Sequence, residues 1–126
     1  MTSIWVESLA RAFDQALDVL AAAVRDCTDD LWEASMWDVP TDLFGPAPPG
    51  PDGKPVTDPV ARHALAQRRS TPWSVAWHAL EVLDYDLTGE FSPWAPPPPF
   101  AGNPHWLLTR LPAPWTRSEL LGYLDY

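Results

Sequence analysis

The stretch that decides the fold is residues 69–87, which read RSTPWSVAWHALEVLDYDL. Thr71-Pro72 is typical of a helix start, because proline at the first helical position lacks an amide hydrogen that would otherwise have no partner. Apolar residues then recur at intervals of three and four, the spacing of one helix face. The apolar residues of this face are Trp73, Ala76, Trp77, Leu80, Leu83 and Leu87, and the charged Asp84 lies on the same face. The adjacent face holds Ser74, His78, Glu81, Val82 and Tyr85. We therefore predict an amphipathic helix that ends near Gly89, a residue type favoured at helix C-termini.

A longer amphipathic helix is predicted upstream, from about Ser3 to Cys27. The segment has no Gly or Pro, and a hydroxyl of Thr2 or Ser3 can accept a hydrogen bond from a free first-turn amide. Its apolar stripe consists of Leu9, Phe13, Ala16, Leu17, Leu20, Val24, Cys27 and Leu31. Such a stripe needs a partner, since burial of each Leu or Phe contributes about 1.5–3 kcal/mol.

Proline placement organises the remaining chain. Seven of the sixteen prolines lie between Pro40 and Pro59, which predicts a proline-rich loop over residues 40–58. Asp58-Pro59 predicts a short helix that runs to about Arg69. Residues 92–115 are predicted to form a second irregular segment, the strap, that packs against the helices. The apolar residues expected to pack are Phe91, just before this segment, and Trp94, Phe100, Trp106, Leu107 and Leu108 within it.

The C-terminal residues predict the opening of another helix. Thr116-Arg-Ser-Glu119 matches a capping box, and Leu120, Leu121, Tyr123 and Leu124 follow at helical spacing. Thr28-Asp29-Asp30 can cap a short turn before Trp32. We expect one all-α domain over residues 1–126, with about three helices and two proline-rich segments. The sequence stops at Tyr126 after barely three turns, so the chain is either cut within a helix or naturally short.

Composition excludes several classes of protein. The net charge of −9, with only eight Lys and Arg, argues against a nucleic-acid partner. No apolar run approaches the ~20 residues of a membrane span, so we expect no membrane association. The single cysteine, Cys27, rules out an internal disulfide; a buried thiol and a reactive one both fit its position. Without a leader pattern, the expected compartment is the cytoplasm.

Residues that could perform chemistry are few. The histidines His63, His78 and His105 are not paired at metal-ligand spacing, and each alone also fits a hydrogen-bonded structural imidazole. Asp84 falls in an apolar stripe and therefore needs a partner, which is either an Arg or a helix-end amide, or a metal-bound or substrate-bound network. The eight tryptophans suit a core or a cofactor platform.

Residues 69–87 resemble the second helix of DinB-like proteins. That family shows an aromatic residue, a histidine and then an acidic–aromatic pair, matched here by Trp77, His78, Asp84 and Tyr85. The following Pro-Phe at 99–100 and the Thr-capped Glu-Leu-Leu-x-Tyr-Leu segment also look like that family. The resemblance covers most of the chain, and its motifs are of moderate specificity.

The resemblance implies an up-down four-helix bundle, often dimeric, with a divalent Ni or Zn ion held by three histidines. His78 matches the first ligand, and Trp77, Asp84 and Tyr85 would shape or support the pocket. The other two ligands come from a later helix, commonly four residues apart, and that helix has no counterpart here. We therefore expect an incomplete DinB-like bundle and a site that does not hold the metal stably by itself.

Two functional hypotheses follow. The chain is a DinB-like, metal-dependent enzyme of the thiol-transferase or hydrolase-like kind, with an incomplete metal site. Alternatively, it is a non-catalytic helical domain that acts through association, in which a homodimer contact or a partner helix covers its exposed apolar face.

Overall fold

The computed structural model describes residues 3–88 and 94–126 of the chain. Within these two ranges the protein is helical and has no strand, so the predicted all-α class is confirmed there. The α-helices are α1 (Ile4–Asp26), α2 (Asp29–Trp32), α3 (Pro59–Gln67), α4 (Pro72–Thr88) and α5 (Arg117–Leu124), and 3₁₀ helices span Arg68–Ser70 and His105–Arg110. In the same part of the chain, none of the helices combines the length and hydrophobicity that a bilayer crossing requires.

The starts of α1, α3 and α5 follow the capping residues that the sequence indicates, whereas Thr28, also predicted as a cap, makes no side-chain capping bond at α2. The Ser3 hydroxyl accepts a hydrogen bond from the Trp5 backbone N–H, and the Asp58 carboxylate accepts one from the N–H of Ala61. At α5, Thr116 and Glu119 form the predicted reciprocal capping box. These bonds satisfy amides that have no partner inside the helix. The predicted end of α4 at Gly89 lies outside the described residues.

The core is built around α4. Trp73 and Trp77 are almost completely buried, and their rings stack with centroids 6.1 Å apart. Every other segment of the core contributes apolar side chains against this helix. They are Val24 of α1, Trp32 of α2, Phe100, Leu108 and Leu111 of the strap, and Leu120 and Tyr123 of α5. Because aromatic residues bury large apolar areas, they account for much of the core of this small domain.

The described part of the strap packs onto α4, and it contains the 3₁₀ helix His105–Arg110 where an irregular segment was predicted. Phe100 is fully buried, with its ring centroid 6.5 Å from that of Trp77 and 5.0 Å from that of Tyr123. Arg68 fixes the far end of the strap by donating from Nη1 to the Leu111 carbonyl oxygen at 2.8 Å. The prediction is wrong for Trp106, which is 70% exposed. Phe91, also predicted to pack here, lies outside the described residues.

The proline-rich loop over residues 40–58 contains no helix and is attached to α3. Arg62 Nη1 of α3 donates to the Pro46 carbonyl oxygen at 2.8 Å, and the Gln67 side chain forms two hydrogen bonds with the backbone of Val39, the residue before the loop. Within the loop, Gly50 packs so tightly that an added Cβ would lie 2.9 Å from Val56 Cγ2. The loop therefore folds back on itself and needs a glycine at that position.

Helix α1 is covered along only part of its length. Val24 is buried and Leu20 packs against the core, whereas Leu9 of the same stripe is 60% exposed. Arg117 at the start of α5 donates to the Cys27 carbonyl oxygen and pairs with Asp29, so α5 begins beside the C-terminal end of α1. At 1.5 Å per residue, the 8 residues of α5 extend along about a third of the 23-residue α1.

Candidate functional site between helix α4 and the strap

A cavity of about 330 Å³ lies between α4 and the strap. Its α4 wall is the polar face adjacent to the apolar stripe, because successive turns of a helix place residues three and four apart on one side. The lining residues are Arg69, His78, Glu81, Val82, Tyr85, Trp94, His105 and Trp106. This volume is at the lower end of the range found for small-molecule sites.

Two histidines that are distant in the sequence meet at this cavity. The rings of His78 and His105 have centroids 4.4 Å apart and are tilted by 36°. His105 is buried, its Nε2 lies 3.1 Å from Ser74 Oγ, and its ring meets Trp77 edge-on at 4.8 Å. His63 is elsewhere, with Nδ1 3.1 Å from Thr41 Oγ1. The sequence placed the cavity pair on separate elements, and only the packing of the strap joins them.

The surroundings of the cavity favour the neutral form of both imidazoles. Burial lowers the pKa of His105 to about 3, and electrostatic interactions with His78 and Arg69 act in the same direction. Burial and then Arg69 also lower the pKa of His78. Each neutral ring offers one N–H donor and one nitrogen lone pair. The pair can therefore bind a ligand by hydrogen bonding without adding charge.

Glu81 fixes the strap to α4 at the floor of the cavity. Its carboxylate accepts the backbone N–H of His105 through both oxygens, at 2.9 and 3.1 Å. The side chain is buried, and burial raises the pKa of the carboxyl group. Sequence reasoning did not select Glu81 as a site residue, although it lies one turn from His78 on the same face. That spacing was the available signal.

The residues predicted to form a pocket with His78 have different positions. Tyr85 lines the cavity, where its ring meets Trp94 edge-on at 5.3 Å. Trp77 is buried in the core and does not line the cavity. Asp84 Oδ2 accepts hydrogen bonds from Trp94 Nε1 at 3.3 Å and from the Tyr123 hydroxyl at 2.9 Å. Its partners are thus neither an arginine nor a helix-end amide, and Asp84 braces the strap and α5 against α4.

Arg69 gives the cavity its permanent positive charge. Among residues 3–88 and 94–126, arginine–carboxylate ion pairs join Arg25 to Asp26 and Arg117 to Asp29, and no carboxylate of these ranges lies within 4.0 Å of the Arg69 guanidinium. In a chain of net charge −9, this is a local excess of positive charge. Arg69 was part of the only basic cluster in the sequence, but nothing there connected it to His78.

The described side chains do not fit a complete Ni or Zn site. Such a site needs three or four converging ligands. Across the ranges that the structure describes, no three His, Cys, Asp or Glu residues are placed to hold an ion together. His78 and His105 supply two imidazoles, and both Glu81 oxygens already accept the His105 backbone N–H.

No family model, no curated protein and no solved structure matches this chain. What indicates a function is therefore the geometry of the cavity.

Proposed function

We propose that this chain is a DinB-like helical domain that binds a small molecule in the cavity beside His78. The observation that supports this proposal most directly is the approach of His78 and His105 to 4.4 Å at the edge of a cavity of about 330 Å³. Neutral imidazoles, a buried carboxylate and aromatic walls around one concave site are the usual features of a small-molecule pocket. His78 is also the residue that the family resemblance selects.

Metal-dependent chemistry is the family expectation, and the ligand set limits it in this chain. Two imidazoles bind a divalent ion less tightly than the three that the family pattern requires, because each lost ligand removes a coordination bond. We propose that Zn²⁺ or Ni²⁺ contacts His78 and His105 weakly and is not retained through purification. Transferase or hydrolase-like activity of the chain alone is accordingly not part of this proposal.

Zinc titration of the ¹³C-labelled histidine rings, followed by NMR, tests this proposal. We expect the His78 and His105 signals to shift together at high Zn²⁺ concentration, while His63 serves as the internal control. Elemental analysis after dialysis should find far less than one zinc per chain, and His78→Ala should abolish the shift at His105. Tight stoichiometric zinc, or a response at His63 alone, would refute the proposed cavity chemistry.

Association through α1 is a second candidate function, favoured by one observation. Trp5, Leu9 and Phe13 succeed one another at four-residue intervals and are 81%, 60% and 36% exposed. Exposed apolar side chains in a row on one helix face mark a contact surface. We propose that the N-terminal half of α1 binds a second copy of the chain or a partner helix.

Sedimentation equilibrium distinguishes this association from a monomeric chain. Leu9→Glu should shift the chain toward monomer, because it places a charge in the apolar row. Val19→Glu is the matched control, since Val19 is 70% exposed but lies outside the row. A wild-type chain that remains monomeric at high concentration would exclude the homodimer.

The expected surroundings follow from composition. We propose that the chain works in the cytoplasm, where a lone free thiol such as Cys27 is ordinary and disulfides are rare. Its net charge of −9 would repel nucleic acids and anionic lipid surfaces. The partner that we expect is therefore a small molecule or another helix.

A further inference from the structure

We propose that the cavity selects a small monocarboxylate attached to a flat apolar group, and that Arg69 binds the carboxylate. This inference rests on the proposed function, because it names the class of ligand for the same cavity. It depends on three features of the site: one uncompensated guanidinium, two uncharged imidazoles, and aromatic walls at the rim.

The sign of the ligand charge follows from Arg69. Its guanidinium lines the cavity, and within the described ranges no carboxylate is close enough to pair with it. A planar guanidinium matches a carboxylate with two parallel hydrogen bonds, a geometry that an ammonium group does not provide. Because the protein as a whole has a net charge of −9, binding of an anion at this position requires a specific local contact.

The number of ligand charges follows from the histidines. His78 and His105 stand beside Arg69 as neutral rings, so Arg69 is the one cation among the residues that line the cavity. Glu81 at its floor is an acceptor whose oxygens are already used by the His105 N–H. A polyphosphate would bring several negative charges against one cation, whereas a monocarboxylate is matched. A neutral imidazole N–H can donate to its second oxygen.

The shape of the ligand follows from the aromatic walls. Trp94 is held in place by its hydrogen bond to Asp84 at 3.3 Å and by edge-on contact with Tyr85 at 5.3 Å. Trp106 lines the same cavity yet is 70% exposed, so a large apolar surface at the rim faces solvent. A flat apolar group would cover that surface. In a cavity of about 330 Å³, one or two rings fit.

Three probes separate charge from shape. These are 3-phenylpropionate, which has both features; 3-phenyl-1-propanol, which lacks the charge; and acetate, which lacks the ring. Binding is followed by ¹³C NMR of the histidine rings at pH 7, with His63 as the reference outside the cavity. We expect saturable shifts at His78 and His105 with 3-phenylpropionate, and binding at least about tenfold weaker with each of the other probes.

The anchoring residue is tested by Arg69→Gln. We expect this variant to bind 3-phenylpropionate about tenfold or more weakly and 3-phenyl-1-propanol unchanged. Arg110→Gln is the matched control, since it removes the same charge from an exposed position that does not line the cavity. Undiminished binding of the acid to Arg69→Gln would overturn the assignment of Arg69.

The outcomes for the ligand class and for the cavity differ. If the alcohol binds as tightly as the acid with shifts at both cavity histidines, the carboxylate inference fails while the proposed small-molecule function stands. If acetate alone binds as tightly as 3-phenylpropionate, the inferred aromatic group is wrong. If no probe shifts His78 or His105 while His63 stays constant, the inference fails, and the zinc titration then decides the proposed function separately.

Discussion

Helices α1 and α4 have the same kind of apolar stripe but different surroundings. The stripe of α4 is covered where Trp73, Trp77 and Leu80 are buried, and only its last residue, Leu87, is 66% exposed. The stripe of α1 is covered from about Leu17 onward and exposed before it, as Leu9 shows. A periodic pattern therefore tells which face of a helix is apolar. It does not tell whether another element reaches that face.

Helix α4 also differs from α1 on its second face. Beside the buried stripe it presents Glu81, which is buried, and His78, which stands at the cavity mouth. The strap crosses this face and brings His105 to it. In α1, the residues beside the stripe are exposed charges such as Arg25 and Asp26. A site forms on α4 because the strap crosses this face and leaves a gap between itself and the helix.

The largest expected effect comes from replacing a tryptophan in each helix. Trp77→Ala should lower the free energy of unfolding by about 3–5 kcal/mol, because it leaves a cavity among residues that cannot fully collapse. Trp5→Ala is the matched control in α1, and at a protein concentration where the chain is monomeric we expect a change within about 0.5 kcal/mol, since the side chain is 81% exposed. Urea unfolding measures both. Similar losses for the two variants would contradict the contrast between the helices.

Acidification is expected to have an intermediate effect on the free energy of unfolding, because His105 of the strap is buried against α4. The pKa of His105 is lowered to about 3 in the folded chain and is about 6.5 when unfolded, so between these values the unfolded state binds the extra proton. Stability should therefore fall as pH decreases from 6.5, by up to about 1.4 kcal/mol per pH unit. Glu81, whose pKa is raised by burial, acts in the opposite direction.

His105→Gln separates these two contributions. From pH 7 to pH 5.5, the midpoint of urea unfolding should decrease more for the wild type than for this variant. The variant keeps Glu81 but cannot take up the histidine proton. Equal decreases would show that His105 is not held neutral on α4.

The smallest effect concerns the start of α5, which covers one end of α1. Thr116→Ala should lower stability by about 1 kcal/mol, since the Glu119 backbone N–H loses its acceptor. Ser118→Ala, at an exposed position in the same first turn, should change stability by less than half as much. Differential scanning calorimetry resolves the two. Equal melting temperatures would mean that the cap contributes nothing to packing against α1.

The sequence was sufficient for the starts of α1, α3 and α5 because caps act locally. Ser3, Asp58 and the Thr116–Glu119 pair each satisfy amides within three residues, so their roles are written in short stretches of sequence. For the site, the sequence indicated His78 and Tyr85, and it placed Glu81 on the same helix face as His78. It could not indicate His105 and Arg69, because their approach to His78 depends on how the strap and the 3₁₀ turn pack.

What the sequence alone determined is the all-α class of the described residues, the position of α4 and the polarity of its two faces, since these depend on contacts between near neighbours in the chain. What only the tertiary structure decided is that Trp77 belongs to the core, that Asp84 bonds to Trp94 and Tyr123, and that His78 meets His105. The physical reason is range. Periodicity fixes the side of a helix on which a residue lies. Whether that residue is buried in the core, hydrogen-bonds to another segment or lines a cavity depends on which distant segment packs against that side.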